Sequence, residues 1–399
     1  MTGAMNEHSR GSALGPTGAG ELFQLLRDGH PRTRAQLALE TGLARSTITT
    51  RVDELMGLGL VLPVAEAAST GGRPPSQFAL NPRARVVLAA DLGASHATLA
   101  ITDLTGIVLA EHSQRIDIAA GPVAVLTWLA ETTMSLLKRL GLGECDLVAI
   151  GIGVPGPVHF ESGQPANPPI MPGWNGFDIP GWLGRILPVP VLVDNDVNIM
   201  ALGERATNFP TVEHFMFVKV ATGIGAGLVS GGRLQRGAQG IAGDIGHVRV
   251  GRGGDIQCQC GNSGCLEALA SGPAIASSLR AQGLEAAGTT EVIDLVKAGN
   301  TMAIQAVRQA GRDLGEVLST CVSLMNPSVI AIGGSMARAG EHLIAGVREV
   351  VYSRSTPLAT EHLRIMPSAS AAHAGVLGAS ALAVHHALSP SGIAALSSQ

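Results

Sequence analysis

Three of the five cysteines in this chain lie within eight residues, at Cys258, Cys260 and Cys265. His247 precedes the first of them by eleven positions. Three thiolates and one imidazole make a Cys₃His set, the usual ligand content of a closed, tetrahedral structural zinc site. Glycines stand between the ligands, where a chain that turns tightly around an ion needs a positive φ or a close backbone approach. The alternative is three unrelated buried cysteines, and their clustering in a cysteine-poor chain favours Zn²⁺.

The segment around these ligands has a distinctive order of residues. Gly-Asp-Ile-Gly-His at 243–247 is followed by Cys-x-Cys-Gly-x-x-Gly-Cys-Leu-Glu at 258–267. This pair of motifs resembles the signature of the ROK family, which groups repressors, open reading frames and sugar kinases. In that family the segment binds zinc and presents side chains to a sugar. The resemblance implies that sugar hydroxyls are bound by Asn195, Asp196, Asp244, His247 and Glu267.

Two residues of this implied sugar site have consequences of their own. Asp244 stands where most members of that family have Glu, and its side chain is one methylene shorter. Because hydrogen bonds tolerate little change in length, we expect Asp244 to draw its loop closer, to act through water or to shift the sugar preference. His247 can use one ring nitrogen on zinc and turn the other toward a ligand. Zinc would then hold Asp244 and Glu267 in position.

Length and composition limit the possible architectures. A chain of 399 residues is too long for one ordinary domain, so we expect two or three. Hydrophobic residues make up 46%, but no apolar run is long enough to span a bilayer. Residues 1–19, rich in Gly, Ser and Ala, are predicted to be a disordered tail and not a secretory signal. Few cysteines, mostly in a metal pattern, favour a reducing, cytoplasmic location.

An N-terminal module over residues 20–82 is predicted to be a winged helix-turn-helix. Its second helix begins near Thr33, whose spacing to Gln36 is that of a capping box, and stops at Gly42. A third helix over 44–58 follows, with one apolar stripe and with small polar and Arg residues off that stripe. Such residues suit phosphate oxygens and base edges. The residues expected to face DNA are Arg45, Ser46, Thr47, Thr49, Thr50 and Arg51.

Two short strands, predicted over 60–64 and 76–80, would complete the module as a β-hairpin wing. Arg73 lies near the expected tip, within a Gly-Gly-Arg-Pro-Pro run, where it could reach a minor groove or a phosphate. The run resembles the wing of ROK-type repressors. The net charge of −4 gives the whole chain no polycation character, so DNA binding would depend on where these arginines lie. A module that makes protein contacts is the alternative.

Residues 86–390 resemble the ROK domain along their whole length, with the motifs in the family's order. The resemblance implies an α/β fold of two actin-like (ribonuclease H-like) lobes with a cleft between them, as in the sugar kinases. The first lobe is expected to comprise 86–198 plus 373–390. The second, which contains the zinc motif, is expected to comprise 199–372.

Three glycine-containing turns resemble the nucleotide loops of the sugar kinases. In the first, after Asp91, backbone N–H groups could approach phosphates while the Asp handles Mg²⁺. The third, at Gly333-Gly334-Ser335, matches the family's adenosine loop. The second turn is predicted over 223–227. In the first, Ala94 replaces a glycine of the kinase members and adds a Cβ where the backbone must come close to a phosphate. The residues that the resemblance assigns to a nucleotide are Asp91, Gly93, Ser95, Thr222, Gly223, Gly225, Gly333 and Gly334.

Asn195 and Asp196 follow a predicted strand and precede a helix. An acid at this place can act as a general base on a sugar hydroxyl, or it can be the N-cap of the helix. The pair matches the family's Asn-Asp pair, in which the Asp is the catalytic base of the kinase members. Asp196 is therefore the expected catalytic residue if this chain is a kinase.

Three functions are compatible with these features. We favour a sugar-responsive repressor, a homodimer or homotetramer that binds double-stranded operator DNA through winged helices. A sugar or sugar phosphate would close the cleft and lower operator affinity. The alternative enzyme is a hexose kinase that uses ATP and Mg²⁺ and carries an accessory DNA-binding domain. A third possibility is a regulator that responds to a protein partner.

Overall fold

The structure, a computed structural model of the chain, describes residues 18–66 and 76–397. The predicted tail over 1–19 lies almost entirely outside the described residues, and so does the predicted wing-tip residue Arg73. None of the helices within residues 18–66 and 76–397 combines the length and the apolar character that a membrane-spanning helix needs.

Within the described residues the chain forms α-helices and β-strands in a mixed order. The helices are α1 (Ala19–Gln24), α2 (Arg34–Thr41), α3 (Arg45–Gly57), α4 (Pro122–Arg139), α5 (Ile179–Leu183), α6 (Asp196–Asn208), α7 (Glu267–Ala270), α8 (Gly272–Ala281), α9 (Thr289–Lys297), α10 (Thr301–Met325), α11 (Glu341–Arg354), α12 (Pro357–Thr360), α13 (Ala374–Ala387) and α14 (Pro390–Ser397). The strands are β1 (Arg32–Thr33), β2 (Val61–Glu66), β3 (Ser76–Leu80), β4 (Val86–Leu92), β5 (Ala97–Asp103), β6 (Val108–Gln114), β7 (Leu147–Val154), β8 (Val158–His159), β9 (Gln164–Pro165), β10 (Val191–Asn195), β11 (Phe215–Val220), β12 (Ile224–Ser230), β13 (Arg233–Gln235), β14 (Val329–Gly333) and β15 (Arg364–Pro367).

Two compact units divide the chain. The first unit comprises the N-terminal part up to residue 86, together with residues 103–105 and the segment from 384 onward. The second unit comprises 87–102 and 106–383.

In the first unit, α1, α2 and α3 accompany a small antiparallel sheet with the strand order β1-β3-β2. The predicted capping box is confirmed, because Thr33 Oγ1 accepts from the Gln36 N–H at 3.2 Å and Gln36 Oε1 accepts from the Thr33 N–H at 2.8 Å. Helix α2 ends at Gly42, whose φ of 71° is left-handed as predicted. The predicted stripe of α3 is buried at Ile48, Val52 and Leu55, whereas its fourth predicted member, Met56, is half-buried.

The C-terminal helix α14 also belongs to this first unit and packs on α1. A Cβ on Gly20 would lie 2.8 Å from the Pro390 Cα, and Gln24 Nε2 donates a hydrogen bond to Leu388 O at 2.8 Å. This division differs from the predicted one, which placed all of 373–390 in the first lobe of the large module. An apolar segment at the end of a chain buries against whichever face the fold brings to it, and the sequence holds no local signal of that face.

The second unit contains two five-stranded sheets, in agreement with the predicted two-lobed α/β architecture. The first sheet has the order β10-β7-β4-β5-β6, and the second has the order β13-β12-β11-β14-β15. Strand β10 pairs in parallel with β7, and β11 pairs in parallel with β14 and antiparallel with β12. Strands β4, β7 and β14 are buried along their whole length, as central strands covered on both faces must be.

Helices α6 and α13 cross at a backbone-to-backbone distance that only glycine permits. A Cβ on Gly203 of α6 would collide with Ala374 O, and a Cβ on Gly378 of α13 would collide with Ile199 O. A larger residue at either position would push the helices apart, because backbone atoms cannot turn aside as side chains do. Since α6 begins at the end of β10, this crossing fixes where the Asn195-Asp196 pair lies.

The long helix α10 packs on α11 through a second glycine contact, and the sequence analysis did not predict α11 or β15. A Cβ on Gly311 would collide with Leu343 O, and one on Gly346 would collide with Arg308 O. Helix α10 covers much of the apolar core on the second sheet. It also carries Asp313, which anchors the loop of predicted metal ligands described next.

Candidate metal centre and ligand cleft

The four predicted zinc ligands converge on one point. Their donor atoms all lie within 4.8 Å of one another. His247 Nδ1 is 3.6 Å from Cys258 Sγ, and Cys260 Sγ is 3.7 Å from Cys265 Sγ. A tetrahedral site with Zn–S bonds of about 2.3 Å and Zn–N bonds of about 2.0 Å has edges of about 3.5–3.8 Å. The donor set and its spacing therefore fit a zinc ion at the centre of the cluster.

The loop that carries the cysteines is built from tight backbone turns. Gly261 has a φ of 90° and Gly264 a φ of 75°, as predicted for glycines between metal ligands. The Cys258 N–H donates to Asn262 O at 2.8 Å, which closes the turn. Burial, together with the neighbouring thiols, raises the pKa of Cys265 to about 12. A divalent cation would reverse this effect, because it binds the thiolate form.

Arg252 fastens the same loop to helix α10. Its guanidinium makes a bidentate pair with the buried carboxylate of Asp313, with Nε–Oδ1 3.0 Å and Nη2–Oδ2 2.5 Å. The side-chain hydrogen bond to Asp313 raises the pKa of Arg252. A planar fork on a buried acid restricts orientation as well as distance. The metal loop is therefore held by the fold at a point outside the ligand set.

A cleft of 1610 Å³ opens beside the metal ligands in the second unit. It exceeds the roughly 300–1,000 Å³ of common small-molecule pockets, so it has room for more than one sugar ring. All of the predicted sugar residues and all of the predicted nucleotide residues line this cleft. His247 lines it as well, with Nδ1 toward the cysteines and Nε2 on the opposite side of the ring.

Glu267 and Asp244 present carboxylates to the cleft in different ways. Glu267 stands at the start of α7, and its Oε2 accepts a hydrogen bond from the Ile224 N–H at 2.9 Å. One oxygen thus holds the turn before β12, and Oε1 is the one available to a ligand. Asp244 is exposed, and its carboxylate has no hydrogen-bond partner among the described residues.

An ion pair that the sequence analysis missed positions the loop before Asp244. Arg236 Nε lies 2.8 Å from Oδ2 of the buried Asp194, and its guanidinium stacks 3.6 Å above the Phe160 ring. Arg236 O accepts a hydrogen bond from the Ala242 N–H at 3.1 Å. Asp194 immediately precedes the Asn195-Asp196 pair, so the loop of Asp244 is tied to the end of β10.

Asn195 is the N-cap of α6. Its Oδ1 accepts from the Val197 N–H at 2.9 Å, and its Nδ2 donates to Gly156 O at 2.9 Å. The sequence allowed Asp196 to be the N-cap of this helix, but the structure gives that role to Asn195. Asp196 is the first residue of the helix, is buried, and pairs with Lys219, with Nζ–Oδ2 2.5 Å.

Lys219 is a charged cleft residue that the sequence analysis missed. Burial lowers the pKa of Lys219, but the charge and hydrogen bond of Asp196 and the charge of Asp91 outweigh it, so the pKa is raised. Asp91 is a buried acid whose negative charge is only partly offset by the charge of Lys219. Burial raises the pKa of Asp91 to about 6 against the attraction of Lys219, and repulsion from Asp196 adds to the rise. A lysine at the carboxyl end of an apolar strand was the available sequence signal.

The glycine-rich turn predicted over 223–227 is shorter than expected. Only its first residue precedes β12, and Gly225 and Gly227 lie within that strand. A Cβ on Gly227 would lie 2.5 Å from the Ala201 Cβ, and a Cβ on Gly225 would lie 3.2 Å from Val197 Cγ2. These glycines let α6 pack closely on β12, a requirement that produces the same sequence pattern as a phosphate-binding turn.

Glu204 is a second functional candidate that the sequence did not reveal. It is fully buried near the end of α6 and accepts hydrogen bonds from Ser368 Oγ at 2.7 Å, the Ala369 N–H at 2.8 Å and the Ser370 N–H at 3.0 Å. The segment that it holds continues into cleft-lining residues, including Ala371. Helix α6 therefore positions the cleft at both of its ends.

Helix α3 of the first unit presents most of the predicted DNA-facing residues to solvent. Arg45, Ser46, Thr49 and Thr50 are exposed, whereas Thr47 and Arg51 are half-buried. Nearby acids are already paired, because Arg32 contacts Asp28 at 2.7 Å and Glu40 at 3.0 Å, and Arg34 contacts Asp53 at 2.6 Å. The positive charge on the N-terminal turn of α3 is therefore not neutralised by these acids.

A sequence profile of the ROK family matches residues 87–386. The chain belongs to the ROK family. Among its relatives, the xylose repressor of Bacillus spizizenii strain W23 is 27% identical over 368 residues, which cover 92% of this chain and 94% of that protein. The ROK regulator fold, with its sugar-kinase-like domain, extends over nearly the whole chain.

Two solved ROK structures differ in how much of this chain they match. A ROK family transcriptional regulator, described as a homologue of the E. coli MLC protein, superposes with a TM-score of 0.81 at 26% identity and covers 95% of this chain and 98% of its own. The ROK hexokinase from Thermus thermophilus superposes with a TM-score of 0.65 at 31% identity, over 75% of this chain and 97% of its own. Most of the quarter of this ROK protein that the hexokinase leaves unmatched is covered by the regulator.

Proposed function

We propose that this ROK protein is a sugar-responsive, DNA-binding transcriptional repressor. The observation that carries the proposal is the combination, in one chain, of an exposed Arg-Ser-Thr helix and a sugar-kinase-type cleft. A ROK transcriptional regulator matches 95% of the chain, and a repressor matches 92%. A kinase would need only the part that the hexokinase matches.

Residues 20–82 form the DNA-binding domain in this proposal, completed by the C-terminal helix α14. Two helices in succession, α2 and α3, followed by two antiparallel strands have the order of elements of a winged helix-turn-helix. Arg45 and Ser46 at the start of α3 would contact phosphates or base edges, because the N-terminal residues of a recognition helix enter the major groove. Arg73, which the sequence predicts to lie in the wing and which is outside the described residues, would add a minor-groove or phosphate contact.

Zn²⁺ has a structural role in the proposal. Bound by His247, Cys258, Cys260 and Cys265, it would close the loop that runs from Asp244 to Glu267. Asp244 lies three residues before the histidine ligand, and Glu267 lies two residues after the last cysteine. Fixing both ends of this segment would orient the two carboxylates toward one ligand.

The sugar would bind between the zinc loop and the start of α6. Converging acceptors and donors suit a ring of hydroxyl groups. Asp244, Glu267 and Asp196 would accept hydrogen bonds, and the Nε2–H of a zinc-bound His247 would donate one. Asn195 would contribute mainly by holding the helix start. We propose a sugar or sugar phosphate as the effector, bound to a homodimer or homotetramer on a palindromic operator, since a two-fold protein matches a two-fold site.

Coupling between the two ligands requires the sugar to bind the DNA-free state more tightly than the DNA-bound state. A coupling free energy of about 1–3 kcal/mol corresponds to a roughly 5–150-fold fall in operator affinity. A sugar with equal affinity for the two states would not change the occupancy of the operator, however tightly it bound.

The test begins with selection of bound DNA sequences from a random library, followed by gel-shift titrations of the selected site with a panel of sugars and sugar phosphates. Arg45→Ala is the DNA-binding control, and Asp244→Ala is the effector control. Specific DNA binding that one sugar weakens at least about fivefold supports the proposal. Specific binding that no compound alters overturns the effector, and favours control by a protein partner.

ATP-dependent hexose phosphorylation remains the second candidate. The 31% identity to a ROK hexokinase and the presence of Asp91 and Asp196 in the cleft favour it. ATP and Mg²⁺ would bind at the glycine-rich turns, and Asp196 would act as the base on a sugar hydroxyl. A coupled ATP-turnover assay over the same sugars decides between the repressor and the kinase. Asp196→Asn is the control that must abolish genuine turnover.

A further inference from the structure

We infer that the Lys219 ammonium group is a built-in cation that takes the place of a divalent metal ion between Asp91 and Asp196. The cleft would then bind its ligand without a metal–nucleotide complex. The inference deepens the proposed sensing function, because it names the residue that makes the cleft a binding site and not a phosphoryl-transfer site.

Two buried carboxylates that face one cleft are a ligand set that Mg²⁺ and Mn²⁺ accept, usually through one or two acids plus water. Asp91 is 7% exposed at the end of β4, and Asp196 is 5% exposed at the start of α6. Both interact electrostatically with Lys219 and with each other. Lys219 therefore supplies the positive charge that such a pair otherwise takes from an ion.

The backbone around Lys219 gives its side chain a free path to the acids. Lys219 is on β11, where it pairs with Gly225 on one neighbouring strand and with Gly333 on the other. Neither directly paired residue has a side chain, so nothing at these two positions blocks the four-carbon stem of Lys219. Its Nζ reaches Asp196 Oδ2 at 2.5 Å.

An ion bound to the same carboxylate would come too close to this ammonium group. Mg²⁺ binds oxygen at about 2.1 Å, so an ion sharing Asp196 Oδ2 would lie within about 5 Å of Nζ. Like charges at that separation in a poorly solvated site repel strongly. The metal can bind only if the ammonium group leaves or loses its proton, and the charges of Asp196 and Asp91 favour the protonated form.

The chain uses lysine sparingly, with three lysines against 24 arginines. Arginine is a planar fork, whereas the lysine ammonium is a compact point charge like an ion.

The turn after β4 forms hydrogen bonds within itself. The Gly93 N–H donates to His96 O at 2.8 Å, and the His96 ring occupies the space where a Gly93 Cβ would lie. That N–H is thus unavailable to a phosphate, which usually takes such donors.

The experiment measures Mn²⁺ binding to the zinc-loaded full chain by electron paramagnetic resonance. Four proteins are compared: the wild type, Lys219→Ala, Lys219→Arg, and Lys219→Ala combined with Asp196→Asn. We expect one Mn²⁺ per chain in Lys219→Ala, bound at least roughly tenfold more tightly than in the wild type. Lys219→Arg keeps a positive charge beside the two acids and should also exclude Mn²⁺, and the added Asp196→Asn should abolish the gained site.

Wild-type binding as tight as that of Lys219→Ala would overturn the inference, and so would Mn²⁺ binding that survives Asp196→Asn. Lys219→Ala leaves two buried acids without a cation and is expected to be less stable. If it folds poorly, Mn²⁺ or Mg²⁺ should raise its melting temperature but not that of the wild type. A poorly folded variant that neither ion stabilises also contradicts the inference. Failure of the wild type to bind DNA would contradict the repressor proposal but not the inference about Lys219, because these ion measurements do not depend on DNA.

Discussion

Asp91→Asn is expected to change how the stability of the second unit depends on pH. Burial raises the pKa of Asp91 from 3.8 to about 6, so the folded protein keeps this proton over a pH range in which the unfolded chain has released it. Stability therefore falls as pH rises through that interval. A shift of about two units corresponds to a loss of about 3 kcal/mol in the free energy of unfolding. This loss begins near pH 4 and is complete above about pH 7. Asparagine has no proton to release and removes this loss.

The difference in unfolding free energy between Asp91→Asn and the wild type should grow by about 1 kcal/mol between pH 5 and pH 7 and then stay constant. Urea unfolding followed by tryptophan fluorescence measures it, because Trp128, Trp174 and Trp182 all lie in the second unit. Asp294→Asn, at an exposed position on α9, is the matched control and should show no such trend. A difference for Asp91→Asn that is the same at pH 5 and pH 7 would refute the reasoning.

Three further outcomes are expected. Cys260→Ser should lose zinc, measured by atomic absorption, and weaken the sugar response in gel shifts, whereas Cys145→Ser, outside the cluster, should keep both. A zinc-free Cys260→Ser with a normal response would separate metal from effector. Arg45→Ala should weaken operator binding and lower the salt slope by about 1, because it removes one phosphate contact; an unchanged slope would place Arg45 off the DNA backbone. Gly203→Ala should lower the unfolding free energy by about 1–3 kcal/mol through the collision of α6 with α13. Gly57→Ala, with open space around it, should instead raise it by up to about 1 kcal/mol in urea titrations; equal effects of the two would contradict the packing argument.

Local chemistry explains which features were predictable. The Cys₃His cluster, the capping box at Thr33 and the left-handed Gly42 all depend on residues that are close in the chain, and each was predicted correctly. The predicted stripe of α3 was confirmed because a 3.6-residue period identifies a buried face without knowledge of what covers it. The order of motifs along 86–390 added the family and, with it, the two-sheet architecture.

Other features depend on which distant segments meet. Lys219 is an unremarkable strand residue until β4 and α6 bring Asp91 and Asp196 to it, and Glu204 is an ordinary helix residue until the segment after β15 reaches it. The glycines of 223–227 match a phosphate turn and a helix–strand contact equally well in sequence, and only the position of α6 distinguishes the two. The sequence by itself determined the donor types, their local spacing and the family. The tertiary structure alone decided their partners, because burial and Coulomb interactions depend on distances in space that separation along the chain does not encode.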